Sequence, residues 1–80
     1  MQFETKKQLI ERVRYTNGLI EVLKCDIDIL RKDTSDCNLA KIRESIREAD
    51  KTVQKLHLVV GEMGYILKLD KEESRIEQTL

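Results

Sequence analysis

No proline interrupts the 80 residues, tryptophan is absent, and histidine occurs once. Without proline, nothing in the chain forces a helix to stop. Net charge is lacking too. Lys plus Arg and Asp plus Glu number 15 each, which removes the general electrostatic argument for nucleic acid or an acidic membrane as partner. The longest aliphatic run is Leu58 to Val60 and no apolar stretch follows Met1, so neither a membrane span nor a secretory leader is expected. The expected compartment is the cytoplasm, or the host cytosol if a virus or mobile element encodes the chain.

Chemistry is equally sparse. The single histidine, His57, has no nucleophile, glycine-rich phosphate loop or closely spaced carboxylate pair to work with, and enzymatic function is not expected. Cys25, Cys37 and His57 lack zinc-site spacing. No metal, cofactor or small-molecule substrate is therefore assigned. The two cysteines are not expected to bridge, because one sits beside the predicted turn and the other roughly 10 Å up a helix at 1.5 Å per residue.

What the chain does have is periodicity. Leu39, Ile42, Ile46, Ala49, Val53, Leu56, Val60, Met63 and Leu67 follow at alternating steps of three and four, the spacing of a helix that packs lengthwise on another. A second series, Leu9, Val13, Ile20, Leu23, Ile27 and Leu30, lies upstream. Between them Asp33, Thr34, Ser35, Asp36 and Asn38 concentrate turn and capping residues just past Arg31 and Lys32, which favour a helix C-terminus. The fold class expected is all-α: one helical-hairpin domain over 1–80, with helices at about 3–32 and 37–76, a turn at about 33–36 and a frayed C-terminus. Ser35 or Asp36 is the expected N-cap of the second helix. Asn17-Gly18 keeps the apolar phase on both sides, so one continuous helix is expected there at a glycine cost of about 1 kcal/mol. Gly61 and Gly64 are expected to flex the second helix without breaking it.

Folding about that turn pairs seam residues whose numbers add to 69, as in Leu30 with Leu39, Leu23 with Ile46 and Val13 with Leu56. His57 then falls beside the seam, partly buried. Apolar residues remain once this pairing is satisfied. Tyr15, Leu19, Val22 and Ile29 share a second stripe on the first helix, and Leu58, Tyr65, Ile66 and Leu69 widen the apolar surface of the other. Burying one large aliphatic side chain is worth roughly 1.5 to 3 kcal/mol, so several on shared faces drive association.

These eight residues are the expected partner-binding set. The function expected is a non-enzymatic protein-protein interaction module: a small adapter, a co-chaperone or an inhibitor of a larger protein. Its partner is another protein, itself as a homodimer in a four-helix bundle, or both. The alternative is a dimeric nucleic-acid-binding regulator using Lys6, Lys7, Arg12 and Arg14. Glu4 and Glu11 accompany those four, and no aromatic residue accompanies them in a stacking pattern. Nucleic acid is the weaker choice.

Overall fold

The computed structural model describes residues 2–79, with side chains from Gln2 to Glu72. Two helices, α1 (Phe3–Ser35) and α2 (Leu39–Thr79), run antiparallel in a rod of 65 × 16 × 11 Å. Neither Gly18 nor Gly61 and Gly64 interrupt them. The helix boundaries differ from those the sequence suggests. Thr34 and Ser35 turn their hydroxyls back onto the carbonyls of Leu30 and Arg31, at 2.8 and 3.1 Å, and so remain in α1. The turn moves to Asp36, Cys37 and Asn38, and α2 is helical past the end expected near Ile76. The side chains of the expected frayed tail lie outside the described residues.

Each bond of the turn has a recognisable role. Asn38 N–H donates to the Asp33 carbonyl at 3.2 Å and Cys37 N–H to the Thr34 carbonyl at 3.1 Å, the paired bonds of a Schellman C-cap. That motif puts Cys37 in the left-handed region at φ 55°, where glycine is the usual occupant. Asn38 also starts the next helix. Its side-chain Oδ1 accepts from Lys41 N–H at 3.2 Å, so Asn38, rather than Ser35 or Asp36, is the N-cap of α2.

Moving the turn three residues along moves the whole register. The cross-helix polar contacts join Asp33 to Ser45, Asp26 to Thr52, Arg12 to Glu62 and Gln2 to Asp70. Their numbers add to 72–78, centred on 75 rather than 69. Apart from Gln8, the positions of α1 that are not exposed are Thr5, Leu9, Arg12, Thr16, Leu19, Leu23, Asp26, Leu30 and Asp33; on α2 they are Ile42, Ser45, Ala49, Thr52, Leu56, Val59, Met63, Ile66 and Asp70. Steps of three and four alternate through both series, which assigns them the a and d positions of an antiparallel coiled coil.

This seam is more polar than a coiled-coil core. Among the described residues the only apolar side chains classed as buried are Leu19 and Val59, at 8 and 2% exposure, alongside Thr5, Asp33, Ser45 and Thr52. The buried polar groups answer one another. Ser45 Oγ donates to Asp33, and Thr52 Oγ1 donates to Asp26 at 2.9 Å; among the described residues no buried side-chain polar atom lacks a partner. At the open end Gln2 N–H donates to Asp70 at 3.2 Å. That bond, with a second from the Thr5 hydroxyl, holds the Asp70 carboxyl below the usual carboxylate range.

Candidate functional site

Because the seam takes the a and d positions, the strongest apolar rows of the sequence fall outside it. Val13, Ile20 and Ile27 of α1 and Leu39, Ile46, Val53, Val60 and Leu67 of α2 occupy position e, at steps of seven. All eight are exposed, Leu39 by 70% and Ile46 by 53%. The sequence places them inside the hairpin. The three-residue shift of the turn turns them out.

In an antiparallel pair the e rows of the two helices flank the seam on one side and the g rows on the other. The groove near the turn confirms the sidedness, since Ile29 of α1 lines it together with Lys41 and Glu48 of α2, all three at position g. The e rows therefore share the opposite broad face. Phe3 and Ile10 extend it at position b, and shallow grooves open on it between Lys6, Leu9, Ile10 and Val13 and around Val53, Leu56, His57 and Val60. His57 is exposed here, not partly buried, because its neighbours at e no longer meet α1.

The eight residues singled out as partner-binding divide into three groups. Leu19 is buried and Ile66 half-buried within the seam. Tyr15, Val22 and Ile29 are exposed along the g edge of α1, beside Lys41, Glu48, Lys55 and Glu62 of α2. Leu58, Tyr65 and Leu69 form a shorter exposed patch towards the open end of α2. This second face is thus apolar and aromatic in places, with charges between.

Of the four basic candidates, Lys6, Lys7 and Arg14 come together on one surface and Arg12 does not. Phe3, Lys6, Lys7, Ile10, Glu11 and Arg14 line one shallow groove at the open end. Arg12 turns inward, where its Nε donates to Glu62 at 3.1 Å and its Nη1 to the Gln8 carbonyl at 3.3 Å. Among the described residues no group of His, Cys, Asp or Glu is arranged to hold a metal ion, and no helix is long and apolar enough to cross a membrane. Cys25 and Cys37 are both free and exposed. The chain matches no protein-family model, no curated protein and no solved structure.

The residues that sequence reasoning placed wrongly carried a signal. Asp26 with Asp33 and Ser45 with Thr52 recur at steps of seven on facing helices, and such a repeat of acceptors opposite hydroxyls identifies a polar seam. The left-handed Cys37 carried none.

Proposed function

We propose that this chain is a non-enzymatic interaction module that docks helices of other protein molecules, copies of itself included, on the apolar rows its two-helix fold leaves uncovered. The observation that carries this reading is the placement, among the described residues, of sixteen large apolar side chains in the open, most of them in heptad rows rather than scattered. Scattered exposed apolar residues are ordinary on any protein; rows at helical spacing are what a further helix packs into.

Surface area supports the same reading. The chain exposes 6570 Å², against about 5,000 Å² for a compact monomer of its mass. A rod two helices wide has no interior in which to place the excess. Roles consistent with such a surface are adapter, co-chaperone or inhibitor of a larger protein. Tyr15, Val22 and Ile29, with Leu58, Tyr65 and Leu69, form the proposed heterologous contact, and Leu19 and Ile66 support it from within the seam.

The test is affinity capture from the native source, with the unaltered chain and a Tyr15→Glu, Val22→Glu chain as parallel baits, followed by mass spectrometry. A partner held by the first bait and lost by the second is expected. Equal recovery on both baits, or none on either, contradicts the assignment of that edge.

A further inference from the structure

The face carrying the e rows is larger than the proposed heterologous edge and has a different character. Ten of the sixteen exposed apolar side chains lie on it. We propose that a second copy of this chain covers this face, the two hairpins stacking about a two-fold axis parallel to the rod. The proposal rests on the docking reading above and names the occupant of one face.

Self-complementarity carries the choice of occupant. Rotation about that axis leaves every residue at its own level along the rod and sets α1 of one copy on α2 of the other. Level residues have numbers that add to about 75, as within one hairpin. Val13, Ile20 and Ile27 therefore meet Val60, Val53 and Ile46 of the second copy, three matched apolar layers that the symmetry repeats. The outer b rows match in part, with Phe3 level with Lys71 and Asn17 with His57 of the second copy. Lys24 comes level with Asp50 of the second copy, and Ile10 with Gly64, which has open space around it. Arg31 opposite Arg43 is the one like-charged layer.

A lipid surface is the competing occupant, because Lys6, Lys24, Arg31, Arg43 and Lys71 rim the apolar face. Regular steps of seven on both helices favour packing against helices, since a bilayer reads amphipathicity but not heptad register. The opposed Lys24 and Asp50 have no role in lipid binding.

Sedimentation equilibrium at micromolar concentration provides the test. The expected mass is twice that of the 9.4 kDa chain. Asp50→Lys should weaken the dimer roughly tenfold, because symmetry turns two attractive pairs repulsive, and adding Lys24→Asp should restore it. Arg43→Glu should tighten it. All three substitutions are at exposed positions, and circular dichroism at the same concentrations shows whether the helices remain. A helical monomer overturns the proposal, as does a dimer that Asp50→Lys weakens and Lys24→Asp does not rescue. So does co-sedimentation of a monomeric chain with phosphatidylserine vesicles. The capture experiment on the Tyr15 edge reads the other face, so its result and this one fail separately.

Discussion

Replacing Cys37 by glycine should stabilise the hairpin. Cys37 holds φ 55° at the C′ position of a Schellman cap, and a side chain there costs roughly 1 to 2 kcal/mol through the clash of its Cβ with the following carbonyl. Glycine removes that clash but gives the unfolded chain more freedom, which returns about 0.5 to 1 kcal/mol. The net gain is about 0.5 to 1 kcal/mol, or about 2 to 8 °C in Tm for a chain of this size. Urea and thermal unfolding, followed by circular dichroism at one fixed chain concentration, measure it. Cys37→Ala is the control, because it removes the thiol and keeps the Cβ. If glycine gains nothing over alanine, the turn is not built on a left-handed residue and the register derived from it is wrong.

Three further outcomes follow from the same turn and seam. Asn38→Ala removes the N-cap of α2 and should cost about 1 kcal/mol in urea unfolding; no loss would mean that another residue begins α2. Asp33→Ala leaves the buried Ser45 hydroxyl without its acceptor and should cost about 1 to 3 kcal/mol, whereas Asp33→Leu with Ser45→Ala should be near neutral or stabilising. Equal destabilisation by both would place these residues outside the seam. Asp70, whose carboxyl is held below its ordinary value first by the Gln2 N–H and then by the Thr5 hydroxyl, supplies stability that is present above the unfolded pKa of about 3.9 and lost as pH falls through the folded value. Asp70→Asn should flatten that acid limb, and an unchanged pH profile would rule the contact out.

Sequence periodicity contained the hairpin but not its rotation. Absence of proline, two long apolar series and one polar cluster are enough to require two helices and a reversal. Each series, however, alternates positions a and e. Leu9, Leu23, Leu30, Ile42, Ala49, Leu56 and Met63 lie in the seam, while Val13, Ile20, Ile27, Ile46, Val53 and Val60 flank it. Apolarity alone favours packing the most apolar rows together, which gives the register of 69. The structure satisfies instead the carboxylates Asp26 and Asp33, which would lose their hydroxyl partners in that register.

The same rotation decides how much of the proposed interaction surface was readable. Tyr15, Val22 and Ile29 are exposed in either register, because position g flanks an a/d seam and lies on the outer side of the helix when a and e meet the partner. Leu19 and Ile66 move inside only when d joins the interface. Val53, Val60 and Leu67 become surface only because the turn falls at Asp36 to Asn38. That placement depends on Thr34 and Ser35 bonding within α1, a choice their residue types leave open, since the same hydroxyls serve as caps or as helix interior.

Register is therefore what the whole account depends on, and disulfide trapping measures it directly. With Cys25 and Cys37 replaced by serine, Leu23→Cys and Thr52→Cys, whose numbers add to 75, should close an intramolecular bridge under mild oxidation at high dilution. Leu23→Cys with Ile46→Cys, which add to 69, should remain reduced. Closure of the second pair and not the first would seal the e rows inside the hairpin and remove the apolar face from which the docking function and the paired hairpins are both inferred.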